Sequence, residues 1–305
     1  MHFVTISILV CCSLGLSWAN EWGYPDLDNN KDAPFPDWGG LCDSGKRQSP
    51  INLAAKWSLR GKFDALKFQK YRYVQKNLEM VNNGHSIQID DFDDVLVMEG
   101  GGLAHEYELE QIHLHWWSEH TINSVRYPLE VHIVHRNKLY PNMTIATNFK
   151  DGIVVLGVLF HVSNTPNDAI ASIIKNLEDV KEYSRINKPV TVSSSLAVDD
   201  LMPQSTGNYY TYAGSLTTPS CAEAVIWIVF TETLPVTLEQ VEQFKEIEYS
   251  NGKQLHNNFR NLQSINNRAV VLVELDDNRS GAAAGRTASL GLILILGLAA
   301  QKFVL

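Results

Sequence analysis

Cysteine, basic side chains and long apolar runs are all scarce in this 305-residue chain. Only four cysteines are present, and cysteines are the residues that usually close a structural zinc site. Twenty-five basic residues stand against thirty-four acidic ones, and this net charge of −9 argues against a surface for nucleic acid or for anionic membranes. We find no internal repeat, low-complexity linker or second domain, and all-β proteins of this length often form one unit.

The first nineteen residues have the features of a secretory signal. The apolar run Phe3–Leu16 is followed by Ser17 and Ala19, small residues at the two positions that signal peptidase reads. A membrane helix is the alternative, but this run is shorter than the roughly 20 residues that a bilayer needs. We therefore predict a signal peptide over 1–19 and an exported domain over 20–280.

Export would allow a disulfide between cysteines and glycosylation of one asparagine. Signal cleavage would leave Cys42 and Cys221 as the remaining cysteines, and an even pair in an exported chain favours a disulfide. Asn142-Met-Thr144 is an acceptor triplet that follows a proline in a polar turn. We therefore predict that Asn142 is glycosylated.

The C-terminal end combines small residues, a spacer and an apolar tail. Small residues run from Ser280 to Ala284, and a largely apolar segment follows over Ala288–Leu305. This order is the signal for a glycolipid (GPI) anchor in the outer leaflet of the plasma membrane, with 281–305 removed as a propeptide. A transmembrane helix is the alternative, but its uninterrupted run, Leu290–Ala300, is too short to span comfortably. The predicted attachment residue is one of three: Ser280, Gly281 or Ala282.

Most of the chain between these ends follows a strand-like pattern, with turn residues between apolar segments. The predicted strands are Ser86–Ile89, Val95–Met98, Tyr107–Trp117, Leu129–His135, Ile153–His161, Ala224–Phe230 and Ala269–Leu275. Helical spacing appears over Asn167–Val180 and over Leu238–Ile247, where Thr237 is the predicted N-cap. The continuous apolar run over 153–160 indicates a central strand that is covered on both faces.

Residues 111–135 contain the densest set of reactive side chains. His113 and His115 are two positions apart, and in a strand this spacing puts both on one face. His132 lies in a second alternating segment, so two neighbouring strands could present three imidazoles to one point. Three neutral imidazoles with an open fourth position form the catalytic arrangement for Zn²⁺. Ordinary histidines on half-buried strands are the alternative interpretation.

Two further residues favour the metal site. Gln111 and Glu130 each precede a histidine by two positions and therefore share its strand face. A ligating imidazole normally donates its other N–H to such an outer carbonyl or carboxylate. Both partners expected on this basis are present.

Seven motifs connect the chain to a known family. They are Gln48-Ser-Pro50, Asn82-Asn-Gly-His85, Gln111-x-His-x-His-Trp116, Ser118-Glu-His-Thr121, Glu130-x-His-x-Val-His135, Ser215-Leu-Thr-Thr-Pro219 and Asn258-Phe-Arg260. In these motifs the chain resembles the α-class carbonic anhydrases from about Glu21 to Leu275, and it is similar to the extracellular, membrane-anchored type. The resemblance implies a zinc enzyme that reversibly hydrates carbon dioxide to bicarbonate and a proton at the extracellular face. It also implies a mainly β single domain around a large, twisted, ten-stranded, mostly antiparallel sheet with a few peripheral helices.

The resemblance further implies a role for each site residue. His85 matches the proton shuttle, and Thr217 accepts a hydrogen bond from the reacting hydroxide while it donates one to Glu119. The residues that match the substrate pocket are Thr217, Thr218, Val134, Val155, Leu216, Val225 and Trp227. The residues that match the water network are Tyr24, Asn83 and Gln88. Exported members of the family commonly join the regions of Cys42 and Cys221 by a disulfide.

Two departures and two alternatives remain. Only Trp117 separates Trp116 from Ser118, where many relatives have a longer loop, so the rim near Glu119 is shorter and bulkier. Phe259 stands where a Trp is common. A catalytically silent binding or adhesion domain is disfavoured because all three histidines are present. The second alternative is a zinc esterase or phosphatase, and only a comparison of carbon dioxide hydration with ester turnover would distinguish it from a carbonic anhydrase.

Overall fold

The computed structural model describes residues 22–25, 35–250 and 252–274. The chain divides into the units Met1–Glu274 and Leu275–Leu305, and the second unit lies outside the described residues. The predicted signal peptide and the predicted attachment residues Ser280, Gly281 and Ala282 also lie outside them. None of the helices in the described part of the chain has the length and hydrophobicity that crossing a bilayer requires.

The described residues form eighteen strands and four short α-helices. The strands are β1 (Asn52–Leu53), β2 (Leu59–Gly61), β3 (Lys67–Gln69), β4 (Glu79–Asn82), β5 (Ile87–Asp90), β6 (Val97–Glu99), β7 (Tyr107–Trp116), β8 (Thr121–Ile122), β9 (Val125–Arg126), β10 (Leu129–Asn137), β11 (Ile153–Val162), β12 (Val190–Thr191), β13 (Tyr209–Gly214), β14 (Val225–Phe230), β15 (Leu234–Val236), β16 (Glu248–Ser250), β17 (Lys253–Gln254) and β18 (Val270–Val273). The helices are α1 (Leu41–Ser44), α2 (Met143–Ala146), α3 (Asp168–Ile174) and α4 (Leu238–Phe244). Single 3₁₀ turns lie at Ala55–Trp57, Leu177–Asp179, Tyr183–Arg185 and Val198–Leu201.

One large sheet contains thirteen of these strands. Ten of them form a continuous path in the order β12-β4-β5-β7-β10-β11-β14-β13-β18-β2. Seven of the nine pairings along this path are antiparallel, and β11 with β14 and β18 with β2 are the parallel ones. The predicted mainly β fold with a large, mostly antiparallel sheet and few helices is therefore confirmed.

The two faces of the central strands pack into different apolar clusters. Leu114 of β7 and Val131 of β10 belong to the larger cluster on one face. His115 and His132 alternate with them along the same strands and therefore point to the opposite face. That face carries the second cluster, which contains Trp227. The histidines thus lie on a rigid surface that is buried from both sides.

The predicted elements agree closely with the observed ones. Each predicted strand matches an observed strand to within two residues at either end. Thr237 caps α4 as predicted, and its side chain forms a capping box with Gln240. The segment predicted as helical over Asn167–Val180 forms α3 and then a 3₁₀ turn, with Asn167 as the N-cap. The sequence pattern predicts seven of the eighteen described strands, and the strands of the ten-strand path that it misses are β2, β4, β12 and β13.

Candidate metal centre and active site

Three imidazoles meet on one face of β7 and β10. His113 and His115 lie on β7, and His132 on β10 stands directly opposite His113 in the antiparallel register. Because side chains alternate along a strand, all three rings project to the same side. One ring nitrogen from each histidine lies within 4.8 Å of the other two. The arrangement predicted from the spacing of the histidines is present.

A hydrogen bond at the outer nitrogen of each ring determines which nitrogen faces inward. His113 Nδ1 lies 2.9 Å from Gln111 Oε1, and His132 Nε2 lies 2.8 Å from Glu130 Oε1. His115 Nδ1 lies 2.5 Å from the carbonyl oxygen of Asn258. Since each of these partners can only accept at that oxygen, each outer nitrogen carries the proton. The inward nitrogens therefore present lone pairs.

These lone pairs fit a metal ion. His132 Nδ1 and His113 Nε2 face each other at 3.1 Å with no proton left between them. His115 Nε2 is fully buried and has no hydrogen-bond partner among the described residues. Burial lowers the pKa of both His113 and His115, and the neighbouring imidazoles add to this effect for His113, so the neutral, ligating form is favoured. A cation bound by the three inward nitrogens would give each of their lone pairs a partner.

Glu130 links His132 to a buried hydrogen-bond chain. Its carboxylate also accepts from the backbone N–H of His120 at 2.8 Å and lies 2.7 Å from the Nδ1 of that ring. The other nitrogen of His120 lies 2.7 Å from the Tyr212 hydroxyl, which donates to Ser49 Oγ at 2.9 Å. Burial alone would raise the pKa of Glu130, but the imidazoles of His120 and His132 hold it well below its usual value.

The same contacts account for a second grouping of possible ligand atoms, formed by His120, Glu130 and His132. Hydrogen bonds already use both carboxylate oxygens of Glu130 and both ring nitrogens of His120. This grouping therefore supports His132 and is not a second metal site. The role of His120 was not predicted, although the motif Ser118-Glu-His-Thr121 contains it.

Glu119 presents one unsatisfied carboxylate oxygen to the metal centre. Its Oε1 accepts from the backbone N–H of Arg260 at 2.9 Å, and the residue is fully buried. Its Oε2 has no hydrogen-bond partner in the described part of the chain and lies 3.6 Å from His115 Nε2. Thr217 is buried on the loop after β13, but the hydrogen bond predicted from its hydroxyl to Glu119 is not formed here.

An apolar wall stands beside the three histidines. Val134 of β10 is opposite Val155 of β11, and Val155 is in turn opposite Trp227 of β14. The Trp227 ring lies 4.8 Å from the His132 ring, measured between centroids. The predicted pocket residues in this apolar cluster are Val134, Val155, Val225 and Trp227, with Leu216 packed against them. They offer a largely apolar surface next to the three histidines, and the one N–H among them, on Trp227, donates to the carbonyl oxygen of Ser215 at 3.1 Å.

The polar wall is formed by β5 and the turn before it. Gln88 stands directly opposite His113, and its amide donates to Asp90 at 2.7 Å. Asn83 uses its side-chain oxygen to accept from the backbone N–H groups of His85 and Ser86, at 3.0 and 2.8 Å. Asn83 therefore holds the turn that carries His85.

His85 is stacked on an N-terminal aromatic residue. Its ring lies 3.6 Å from that of Trp22, with 13° between the planes. Burial lowers the pKa of His85 to about 4, so the ring is neutral at pH 7 in this position. The ring centroid of Tyr24 lies 5.4 Å from that of Trp22. Burial, together with the charge of Glu119, raises the pKa of Tyr24 well above its usual value. Burial, to which the stack with Trp22 contributes, thus holds the pKa of His85 below the ordinary imidazole value of about 6.5.

The short rim is held in part by Arg126, a residue that the sequence did not single out. Trp117 adopts a positive φ of 70°, and its N–H donates to the carbonyl oxygen of Pro128 at 2.9 Å. The Arg126 guanidinium donates to the carbonyl oxygen of Ser118 and lies 4.0 Å over the ring of Phe259. Arg126 thus connects the segment before Glu119 with the residue before Arg260. Its pairing with an aromatic residue 133 positions away has no signal in sequence spacing.

The predicted disulfide is confirmed. Cys42 and Cys221 are joined, with Cα atoms 5.0 Å apart and 179 positions between them in sequence. The N–H of Cys221 donates to the carbonyl oxygen of Thr218 at 2.7 Å, and Gln48 donates to the carbonyl oxygen of Cys221 at 3.1 Å. The bond therefore ties the loop that carries Thr217 and Thr218 to the N-terminal segment.

Comparison with known proteins agrees with this geometry. The sequence model of the family described as eukaryotic-type carbonic anhydrase matches residues 35–274. Bovine (Bos taurus) carbonic anhydrase 6 is 33% identical over 283 residues, which cover 87% of this chain and 84% of that protein. Human carbonic anhydrase 12 is 32% identical over 298 residues, covering 92% and 80%. Rat (Rattus norvegicus) carbonic anhydrase 4 is 33% identical over 273 residues, covering 85% and 83%. The chain therefore belongs to the eukaryotic-type carbonic anhydrase family.

Proposed function

We propose that this chain is a zinc lyase that hydrates carbon dioxide reversibly to bicarbonate and a proton at the extracellular face of the cell. The observation that carries the proposal is the set of inward lone pairs on His113, His115 and His132, one of them on a buried nitrogen without a partner. When bound, zinc lowers the pKa of a coordinated water to about 7 and so supplies a nucleophile at neutral pH.

The outer partners keep the three imidazoles ready to ligate. Gln111, Glu130 and the carbonyl of Asn258 each hold one ring in the tautomer that directs its lone pair inward. A ring that rotated away would lose this hydrogen bond as well as its place at the metal centre. The site is therefore preorganised by the protein.

Glu119 and Thr217 orient the reacting oxygen. The Arg260 N–H holds Glu119 so that its free oxygen can accept from the Thr217 hydroxyl after a local rotation. A hydroxyl that donates to Glu119 can only accept from the reacting oxygen, and this directs the lone pair of that oxygen toward the substrate. Thr218 follows on the same loop and faces the substrate or the product bicarbonate.

The apolar wall selects the substrate. Carbon dioxide is small and needs no hydrogen bond, so a pocket of Val134, Val155, Leu216, Val225 and Trp227 can hold it while disfavouring water. Substrates with charged groups would leave those groups without partners against this wall. This chemistry favours carbon dioxide over phosphate esters.

His85 exports the proton that each turnover leaves behind. Gln88 and Asn83 lie on the polar wall, and Tyr24 packs against Trp22, which stacks on His85; these three residues order the intervening water in this proposal. In the stacked position the low pKa of His85 disfavours protonation, so the ring leaves Trp22 when it accepts a proton.

The proposal is tested on the purified mature chain. Metal-free protein prepared by chelation and the same protein reloaded with zinc are compared in stopped-flow carbon dioxide hydration and in hydrolysis of a small activated ester. We expect hydration to return in proportion to bound zinc, with ester turnover far slower. Zinc-dependent ester or phosphate turnover without hydration would contradict the proposal and favour a zinc esterase or phosphatase.

Location at the cell surface is the second part of the proposal. It is supported by the leader-like segment 1–19 and by the small-residue cluster and apolar tail over 280–305. Phosphatidylinositol-specific phospholipase C should release active enzyme from intact cells. Activity that stays with the membrane, together with a recovered peptide ending at Leu305, would contradict a glycolipid on Ser280, Gly281 or Ala282.

Glycosylation of Asn142 is the third part of the proposal. Asn142 and Thr144 are both exposed. Asn142 caps α2 through its side-chain oxygen, which leaves the amide nitrogen available for the sugar. Digestion with an N-glycosidase should convert Asn142 to Asp, a change of about one mass unit that peptide mapping detects. An unmodified Asn142 peptide from undigested secreted protein would refute this part.

A further inference from the structure

The free edge of the large sheet exposes an unusual amount of apolar surface. Strand β2 ends the ten-strand path and pairs with β18 on one side. Around it, Trp57 is 71% exposed, Leu59 61% and Phe63 45%. We refer to these three residues as the β2 edge surface. Exposed apolar residues that cluster in this way mark interaction sites more often than scattered ones do.

The three residues fall on alternating positions of the chain in and around β2. Leu59 and Gly61 share one face of β2, and the position of a Cβ on Gly61 is 3.6 Å from the Phe63 ring. Phe63 therefore lies on the same face as Leu59. Trp57 precedes Leu59 by two residues, and the ammonium group of Lys56 lies 4.6 Å from the centre of its ring. These residues, at positions 57, 59 and 63, form an apolar strip along β2 with the ammonium group of Lys56 beside it.

The strip lies beside the last residues that the structure describes. Strand β18 runs parallel to β2, with Val271 beside Leu59 and Val273 beside Gly61. Glu274, the last described residue, forms an ion pair with Arg60 of β2. The proposed lipid attachment residues follow six to eight positions later, a length of at most about 29 Å when fully extended. A lipid attached there holds this edge close to the bilayer.

We propose that the β2 edge surface rests on the outer leaflet of the membrane, with Trp57 at the boundary between headgroups and acyl chains. The inference rests on the proposed lipid anchor. It goes further by identifying which face of the enzyme contacts the bilayer. Tryptophan prefers this boundary because its ring is apolar and its N–H is polar. Lys56 can extend its charged end to the phosphates while its methylenes cover the apolar surface. The net charge of −9 makes a zwitterionic leaflet, rather than an anionic one, the matching surface.

A second copy of the chain is the competing occupant of this edge. Two copies would pair strand to strand through β2, but β2 is only three residues long and carries the charged Arg60, followed by Lys62. Short edge strands with basic side chains are features that oppose edge-to-edge pairing. The ammonium group of Lys56, beside the Trp57 ring, suits lipid phosphates better than a second copy of itself.

This orientation keeps the active site open. Strand β10, which carries His132, is five strand positions from β2 along the path. At about 4.8 Å between neighbouring strands, β10 lies roughly 24 Å across the sheet from β2. Substrate can enter without crossing lipid, and the proton is released near the membrane surface.

The test uses the anchored protein reconstituted in phosphatidylcholine vesicles with brominated acyl chains, which quench nearby tryptophan fluorescence. Flotation first establishes whether the protein is lipid-anchored. Quenching is then compared for the wild type, Trp57→Phe and Trp117→Phe, the last being a matched control because Trp117 is also exposed, at 40%. We expect Trp57→Phe to lose at least two thirds of the wild-type quenching and Trp117→Phe to retain it.

Each contrary result has a distinct meaning. Protein that does not float overturns the anchor and this inference with it. Protein that floats but shows no quenching dependent on Trp57 leaves the anchor standing and overturns the inference. A wild-type dimer of phospholipase-released protein that Trp57→Ser converts to monomer, measured by sedimentation, would assign the surface to a second copy and also overturn it.

Discussion

Replacing Glu119 by Gln is the most informative change at the proposed site, because it alters charge and hydrogen-bonding polarity with almost no change in shape. In the wild type, Oε1 accepts from the Arg260 N–H at 2.9 Å and Oε2 faces the metal centre, 3.6 Å from His115 Nε2. The amide of Gln has one acceptor and one donor. Its oxygen must remain on the Arg260 N–H, since an NH₂ group there would meet another donor.

The NH₂ group is therefore forced to face the centre. The Thr217 hydroxyl can no longer donate to this position, so it loses the constraint that makes it an acceptor for the reacting oxygen. Losing one oriented group that acts in the transition state costs about 10²–10³ in rate, or roughly 2.7–4 kcal/mol. We expect kcat/KM for carbon dioxide to fall by about 10²-fold at pH 7 to 8.

Stopped-flow hydration measured beside zinc content separates this explanation from simple damage to the site. Glu119 is not among the three ligands, so Glu119→Gln should keep one zinc per chain. Glu119→Asp is the control that keeps the charge, although its carboxylate is withdrawn by about one bond length, roughly 1.5 Å. We expect it to be more active than the Gln variant. Hydration within threefold of wild type in Glu119→Gln would refute the reasoning.

Three further predictions concern the surroundings of the site. Trp22→Ala should raise the pKa of His85 from about 4 toward 6.5, because the stacked ring no longer buries it; an NMR titration of His85 that shows no rise would count against the stack as the cause. Replacing Cys42 and Cys221 together by Ala should lower the free energy of unfolding by about 2–5 kcal/mol, measured by denaturant titration, and a loss below 1 kcal/mol would contradict the expected role of the disulfide. Arg126→Ala should lower kcat more than it raises KM and should shift the pH profile of hydration, because the segment before Glu119 loses its support. Arg126→Lys should restore little activity, since a lysine cannot both stack on Phe259 and donate in the same plane. A full rescue by Lys would contradict this explanation.

The site could be predicted largely because its geometry follows from strand periodicity. Residues two positions apart share a face, so the spacing of His113 and His115 already places both imidazoles together. Gln111 and Glu130 follow from the same rule. The antiparallel partner of the first strand could also be anticipated, because His132 lies in the next long alternating segment.

Other features depend on contacts between distant parts of the chain. The hydrogen bond between His115 and the Asn258 carbonyl joins residues 143 positions apart and involves a backbone atom, so no side-chain pattern predicts it. The same holds for the chain from Glu130 through His120 to Tyr212, which forms only when β13 and β10 are in the same sheet. The stack of Trp22 on His85 helps to bury the residue predicted as the proton shuttle, and burial lowers its pKa. Composition cannot show that change, because it arises from burial.

Metal binding and activity measured on the same samples test the central claim most directly. Wild type and the variants His113→Ala, His115→Ala and His132→Ala are purified in parallel, and zinc per chain is determined by mass spectrometry beside stopped-flow carbon dioxide hydration. The account predicts one zinc and rapid hydration in the wild type, with both lost together in each variant. Variants that keep stoichiometric zinc, or a wild type that binds zinc and does not hydrate carbon dioxide, would contradict it.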